Sequence, residues 1–330
     1  MSISTEPIIL ACAADDFFAM PLAVTIRSVM DHLNPNCQVV LYVLDGGIRP
    51  SNQQRIEQSL DTSRINIHWV KPSSDRLEAI ALSCQNTYPV SAYYRLLLPE
   101  IIPETYNRVI YLDTDLIVQA NLETLWRMDF GDYHLLAAMD AANRNLYWPK
   151  HLKHLDLKKM GVTEKDKYLQ SGVLVIDLKK WRAEGIADQV IKFIANHTEL
   201  PYPDQDALNF VLAGKWYELD PRWNQIPVVH HFNSWQESPY TEQQLWDVIN
   251  DPFIIHYGSR PKPWNRDCAH PQKSLWYDSL NKTAWSGWQD TNLNHMTRLL
   301  RKVLRRLSRI TKRFIFSNKL LSIGVNRRAA

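Results

Sequence analysis

Three short apolar runs near the start of the chain restrict its fold more than any other feature. Ile8–Ala14, Val39–Leu44 and Ile65–Val70 are rich in β-branched residues, which pack well on a pleated surface. Between the first two, Val24, Ile26, Val29, Met30 and Leu33 recur at helical spacing after Pro21, a good first-turn residue. Between the second and third, Pro50 to Leu60 forms the next helical segment, after the turn Asp45-Gly46-Gly47. Strand, helix, strand, helix, strand at this spacing predicts an α/β fold, a mainly parallel sheet with helices on its faces. Ser91 starts a further helix, SAYYRLLLPEII, leading into Val109–Leu112, about the fourth strand. Gly172 to Leu178 reads as another central strand, Lys179 to His197 as a helical stretch, and Asp204 to Leu212 as a helix with acidic residues at its favourable N-terminal end. Phe253 to Tyr257 is a late strand running into the turn Gly258-Ser259-Arg260-Pro261.

The fourth strand ends in two carboxylates, Asp113 and Asp115, with Leu116-Ile117-Val118 following at once. On an extended backbone residues i and i+2 point to one side, so the two converge and Thr114 turns away. Carboxylates held together either raise a pKa or call for a cation, and hard oxygen ligands suit Mn²⁺ or Mg²⁺. In open parallel sheets ligands gather outside the carboxyl ends of the strands. A lone DxD is short and common, and a turn cap beside a solvated carboxylate explains it better. The company it keeps changes that balance. His256, also at the end of an apolar strand, offers a nitrogen ligand that Mn²⁺ accepts. Lys262, in the Pro-bracketed loop RPKPW, offers the cation a diphosphate requires. Singly they read as a core histidine and an exposed lysine. Asp15 and Asp16 close the first strand at the usual nucleotide corner, with Phe17-Phe18 able to offer a ring to a base. Alone, a helix-capping Asp with core aromatics accounts for that pair.

Taken in order, AADD (13–16), YYRL (93–96), YLDTDLIV (111–118), SGVLVIDLKKWR (171–182), DQDALN (204–209) and HYGSRPKPW (256–264) resemble the family 8 retaining glycosyltransferases over roughly residues 8 to 265. That family includes bacterial lipopolysaccharide galactosyl- and glucosyltransferases and, more distantly, glycogenin. The resemblance implies a GT-A fold, a UDP-sugar donor such as UDP-galactose or UDP-glucose, Mn²⁺ with Mg²⁺ as the substitute, and a glycan or glycolipid acceptor. By position it implies Asp113, Asp115 and His256 as metal ligands, Asp15 and Phe18 at uracil, and Lys262 on the diphosphate. It implies Arg95 and Asp140 as donor-sugar contacts, Asp204 and Gln205 in the sugar pocket, and Gln205 beneath the anomeric carbon. Asp140, Asp204 and Gln205 are thus the candidate catalytic set. Ala13, Thr114, Gln170, Ser171 and Gly258 complete the residues implied at the nucleotide-sugar. The sequence departs from the family pattern in three places: Leu169-Gln170-Ser171-Gly172 carries a longer amide where the family has Asn, position 17 is Phe, and Gly258-Ser259 replaces a frequent Cys-Gly. Around the acceptor, Tyr147, Trp148, Trp235 and Tyr240 are aromatics that serve equally as sugar platforms or as packing.

Two rival readings follow from the residues: a haloacid-dehalogenase-type Mg²⁺ phosphatase, and a non-catalytic nucleotide-sugar or glycan-binding module. The phosphatase usually carries its DxD on the first strand of the sheet, and here about three strands precede it.

The net charge of +3 conceals a division. Eleven Lys or Arg and no Asp or Glu lie from Arg298 to the end, leaving 27 basic against 35 acidic residues, about −8, in 1–297. Leu300, Val303, Leu304, Leu307, Ile310 and Phe314 recur at helical spacing among those charges, the pattern of a basic amphipathic helix lying in an anionic membrane interface. A nucleic-acid arm needs the charge but not the apolar stripe, so no nucleic-acid partner is expected. The four cysteines are far apart without CxxC or CxH spacing, which argues against a zinc site or disulfide framework and for a reducing compartment. No apolar stretch is long enough to span a bilayer, and Ile8–Ala14 lacks the basic flank of a signal peptide. The expected organisation is a catalytic domain over 1–265, a helical extension over 266–296 and a membrane-association tail over 297–330. It implies an enzyme in the cytoplasm, peripheral on the inner face of the plasma membrane.

Overall fold

The computed structural model describes residues 6–73, 75–84, 88–291 and 296–297. The basic stretch from Arg298 onward, and the amphipathic helix expected there, lie outside the described residues. The first half follows the expected alternation: β1 (Ile8–Ala14), α1 (Ala19–His32), β2 (Val39–Asp45), α2 (Pro50–Gln58), β3 (Ile65–Val70) and α3 (Asp75–Ser83). The segment from Ser91 departs from the single helix expected of it. Val90–Leu97 winds as a 3₁₀ helix and only Leu98–Ile101 (α4) is α-helical. Pro99 has no N–H to close an α-turn onto the Arg95 carbonyl, and the Leu98 N–H takes that carbonyl in a tighter turn instead.

After β4 (Arg108–Leu112) come β5 (Leu116–Val118), α5 (Glu123–Trp126), β6 (Leu135–Met139), β7 (Leu169–Asp177), α6 (Leu178–Glu184) and α7 (Ile186–Asn196). The helical stretch over 179–197 is therefore two helices. Gly185, at φ 60°, ends the first in the left-handed conformation and turns the chain into the second. The chain continues through α8 (Pro203–Val211), β8 (Trp216–Glu218), α9 (Glu242–Asn250), β9 (Ile254–His256) and α10 (Lys273–Leu280).

Seven strands form one sheet in the order β3-β2-β1-β4-β7-β6-β8, and β5 and β9 form a separate two-stranded ribbon. β1, β2, β3 and β4 run parallel, as do β6 and β8, while β7 is antiparallel to both of its neighbours. That reversal matters for the site. Leu112 pairs with Val173, so the N-terminal residues of β7 arrive at the edge where β1 and β4 end. β4 and β7 are apolar and buried nearly throughout, as strands covered on both faces are. α1 is pinned to the ribbon by Thr25 Oγ1, which donates to Leu116 O (2.9 Å), and by Ser28 Oγ, which accepts from Val118 N (2.9 Å). Trp276 of α10 is fully buried and packs on Trp264, with ring centroids 5.5 Å apart. A second, smaller apolar cluster gathers Leu146, Leu152, Leu157, Val162 and Tyr168 against Leu200 and Phe210. It gives the long connection between β6 and β7 a core of its own.

Candidate active site

The carboxylate pair lies in a bend between β4 and β5 rather than on extended strand, so strand alternation is not what brings the two together. The ends of the bend are fixed instead. Asp113 N donates to Gly172 O (2.8 Å), and Tyr257 N donates to Asp115 O (2.9 Å). Thr114, between them, is buried. Leu116 pairs with His256 in the ribbon, which carries the imidazole to the same place.

Each carboxylate divides its two oxygens. Asp113 Oδ1 accepts from Arg95 (2.8 Å) and from the Tyr111 hydroxyl (3.1 Å), while Oδ2 faces His256 Nε2 at 3.9 Å. Asp115 Oδ2 is taken by the Lys262 ammonium, while Oδ1 faces His256 Nε2 at 3.4 Å. One oxygen of each pair is thus anchored by a protein donor, and the other converges with the imidazole nitrogen. Ligand atoms of Asp113, Asp115 and His256 lie within 4.8 Å of one another. Two hard oxygens and one borderline nitrogen suit Mn²⁺ or Mg²⁺. Burial opposes ionisation of Asp115, and the neighbouring Lys262 ammonium foremost holds the carboxyl well below its usual range.

Arg95 links several of these groups. Its guanidinium, 6 % exposed, reaches Asp113, Ser171 O (2.6 Å) and Asp204 Oδ2 (3.4 Å), and lies over the Tyr111 ring at 4.5 Å. Gln205 opens α8 next to Asp204. Its Oε1 accepts from Ser171 N (3.0 Å) and Ser171 Oγ (3.2 Å), and its Nε2 donates to Asp140 Oδ2 (3.3 Å). Burial pushes the carboxyls of both Asp204 and Asp140 up, opposed at Asp204 by Arg95 and at Asp140 by hydrogen bonds from Ala142 N and Gln205. The third acid of the DQD run is structural. Asp206 is fully buried and accepts from Tyr168 OH (2.5 Å) and His151 Nε2 (3.0 Å), tying the long connection to α8.

Of the other residues expected at the nucleotide-sugar, Ala13 closes β1 and Gly258 turns the chain after His256, its N–H bonding back to His256 O (2.8 Å). Asp15 caps the turn that follows β1, accepting from Phe17 N (3.0 Å) and Phe18 N (3.1 Å). Phe18 meets Trp264 edge-on at 5.7 Å, which brings the first strand's corner against the loop carrying Lys262. Gln170 bonds inward: its Oε1 accepts from Gly172 N (2.6 Å) and from Asn224 Nδ2 (2.6 Å). Of the four aromatics, Tyr240 is buried, while Trp148 and Trp235 are 54 % and 41 % exposed. Trp235 and Tyr240 line a cavity of about 630 Å³ that Met139, the residue before Asp140, also lines.

Sequence reasoning passed over Tyr111, Asn224 and Gly172. Asn224 Oδ1 lies 2.9 Å from His256 Nδ1, on the side of the ring away from the carboxylates. Gly172 leaves room for that ring, since a Cβ there would fall 2.8 Å from His256 Nδ1 and 2.9 Å from Gln170 Oε1. Gly172→Ala is accordingly expected to push the imidazole off its position. Divalent-metal affinity and turnover should fall together by roughly tenfold to a hundredfold, the usual loss when a ligand's orientation is disturbed. Mn²⁺ titration by electron paramagnetic resonance, with far-ultraviolet circular dichroism as the check on folding, measures this. An unchanged Mn²⁺ affinity would contradict it.

A mainly parallel sheet, with a DxD bend at its carboxyl edge and an imidazole brought beside it, defines a glycosyltransferase of GT-A fold. Residues 9–268 match the Glycosyl transferase family 8 model, and the chain belongs to that family. It is 33 % identical to General stress protein A of Bacillus subtilis over 84 % of this chain and 94 % of that protein. It is 23 % identical to the lipopolysaccharide 1,3-galactosyltransferase of Salmonella typhimurium over 96 % of this chain and 88 % of that one. Among solved structures, the galactosyltransferase LgtC in complex with donor and acceptor sugar analogs superposes with a TM-score of 0.69 at 28 % identity. That match covers 84 % of this chain and 96 % of LgtC. The phosphatase reading falls with this, since the chain belongs to a transferase family and its DxD follows the fourth strand. Among the described residues no helix is long and apolar enough to cross a membrane.

Proposed function

We propose that the protein is a retaining hexosyltransferase that moves galactose or glucose from a UDP-sugar to a glycan or glycolipid acceptor, with Mn²⁺ held by Asp113, Asp115 and His256. The observation that carries this reading is the convergence of one free oxygen from each Asp with His256 Nε2, beside the Lys262 ammonium. A divalent cation bound there would neutralise the diphosphate as it leaves. Lys262, now bonded to Asp115 and Tyr257 O, would supply a positive charge to the same phosphates. Arg95 holds Asp113 and Asp204 in register, so the metal end and the sugar end of the site move as one. Gln205 and Asp204, at the start of α8, face the sugar as it takes on oxocarbenium character. Aromatic and polar groups around Trp235 and the exposed Trp148 supply the acceptor side, as the lipopolysaccharide-directed relatives would require. A panel of UDP-sugars, assayed for Mn²⁺-dependent UDP release with and without glycan acceptors, tests the reading. Release restricted to UDP-galactose or UDP-glucose supports it, and no release from any member of the panel overturns it.

Gln205 is a weak nucleophile, and its oxygen is already engaged by Ser171, so we assign it an electrostatic role on a front-side retaining route. Gln205→Ala should slow transfer by about a hundredfold, the cost of one preorganised electrostatic contact. The anomeric configuration of the product should stay unchanged by NMR. A glycosyl adduct on residue 205 would replace this route with double displacement, and an inverted product would remove the retaining assignment.

The tail over 297–330 is proposed to dock the enzyme on the anionic inner face of the plasma membrane, where a lipid-borne acceptor is presented. Eleven basic residues at about 1 kcal/mol each near such a surface suffice without a lipid anchor. Deleting 297–330 should release the protein from phosphatidylserine vesicles at low salt while UDP-sugar hydrolysis continues. Co-sedimentation of the truncated chain would place the membrane contact elsewhere.

A further inference from the structure

We infer that Gln170 and Asn224 are positioning residues that fix the tautomer of His256, so that a divalent cation meets an unprotonated Nε2. This deepens the metal reading above and rests on it. A single backbone group sets the direction of the three hydrogen bonds that link Gly172, Gln170, Asn224 and His256. The Gly172 N–H can only donate, so the Gln170 atom 2.6 Å from it is the amide oxygen. That oxygen also lies 2.6 Å from the Asn224 side chain, which must turn its NH₂ toward it. Asn224 then has only its carbonyl oxygen to offer His256 Nδ1, 2.9 Å away, and an acceptor at that distance requires a proton on Nδ1. A neutral imidazole protonated at Nδ1 keeps its lone pair on Nε2, the nitrogen that faces Asp115 Oδ1 (3.4 Å) and Asp113 Oδ2 (3.9 Å).

The opposite tautomer would set a bare nitrogen against a carbonyl oxygen and place an N–H where the cation must bind. Water is poorly placed to relieve that conflict, because Asn224 and His256 are 3 % and 2 % exposed. The longer amide at position 170 has a purpose in this arrangement. It spans from the β7 backbone to the 3₁₀ turn over Pro221–Asn224, and its oxygen holds two donors at once. Histidine ligands elsewhere are commonly oriented by a bond to the second ring nitrogen, and loss of that partner weakens metal binding tenfold to a hundredfold.

Four variants of the full chain, Gln170→Met, Gln170→Glu, Asn224→Ala and His256→Ala, test the proposal with Mn²⁺ alone as the probe. Mn²⁺ affinity is read by electron paramagnetic resonance. The His256 tautomer is read by ¹⁵N–¹H correlation of histidine-labelled, metal-free protein under alkaline conditions, with the signal assigned by its absence in His256→Ala. Wild type should show a proton on Nδ1. Gln170→Met keeps the side-chain length but removes the acceptor, and should weaken Mn²⁺ about tenfold and mix the two tautomers. Asn224→Ala should weaken it further. Gln170→Glu restores an oxygen for both donors and should return the wild-type tautomer. Wild-type affinity and tautomer in Gln170→Met would overturn the inference. Undiminished Mn²⁺ binding by His256→Ala would instead overturn the metal assignment on which it stands.

Discussion

Asp115→Asn is expected to stop sugar transfer, lowering turnover by at least about three orders of magnitude, while the protein remains folded. The reason lies in how the carboxylate is shared. Lys262 is a donor only, so an amide at this position must turn its oxygen toward Lys262 and its NH₂ toward His256 Nε2. The substitution therefore removes a charge and also points a donor into the place a cation would occupy. Mn²⁺ titration should show lost affinity in parallel. If Asp115→Asn retains Mn²⁺-dependent UDP release, the carboxylate is not a ligand. The same substitution has a pH signature. The folded protein holds the Asp115 carboxyl below its usual range, so its ionisation stabilises the fold fully above the unfolded value of about 4 and loses that contribution as pH falls toward the folded one. Urea unfolding at neutral and acidic pH should show the wild type losing more stability on acidification than the variant does.

The second large effect is on the fold. Arg95→Met strips the common partner from Asp113 and Asp204 and leaves Ser171 O without its donor. Breaking a buried pair costs about 3 to 5 kcal/mol, and the lower figure applies because Asp113 keeps 23 % of its side chain exposed. Urea denaturation should show that loss of about 3 kcal/mol. Saturating Mn²⁺ should recover part of it, since a cation on Asp113 replaces some of the missing charge. A midpoint equal to wild type would show that Arg95 does not hold the two acids together.

What could be seen in the sequence was decided by local chemistry. β1, β2 and β3 announce themselves because β-branched runs alternate with helical spacing, and each lies where expected. β6 and β8 do not. Leu135–Met139 has no β-branched residue and Trp216–Glu218 is three residues long, so both owe their strand state to neighbours in the sheet. The reversed direction of β7 is likewise a matter of pairing that no residue in GVLVIDL records. At the site, Asp113, Asp115, His256 and Lys262 were legible from residue type and position. Their convergence through a bend and a ribbon was not, because it depends on bonds from Gly172 and Tyr257, far off in the chain. Asn224 was invisible for a related reason: an asparagine between Trp223 and Gln225 acquires meaning only once β9 sets His256 beside it.

The separate apolar cluster under residues 146–168 bears on how such a protein can diverge. Leu146, Leu152, Leu157 and Val162 cluster with Tyr168, Leu200 and Phe210, so this excursion carries a small core of its own. Its outer face, where Trp148 is exposed, is free to drift toward new partners without disturbing the sheet or the Asp113–Asp115–His256 cluster. Two side chains in it carry a constraint at their inner ends. His151 and Tyr168 satisfy Asp206, a carboxylate with no solvent of its own, and losing either leaves it short of a partner inside α8. Lineages that recruit this scaffold for new acceptors should vary the rim of the module and retain that pair.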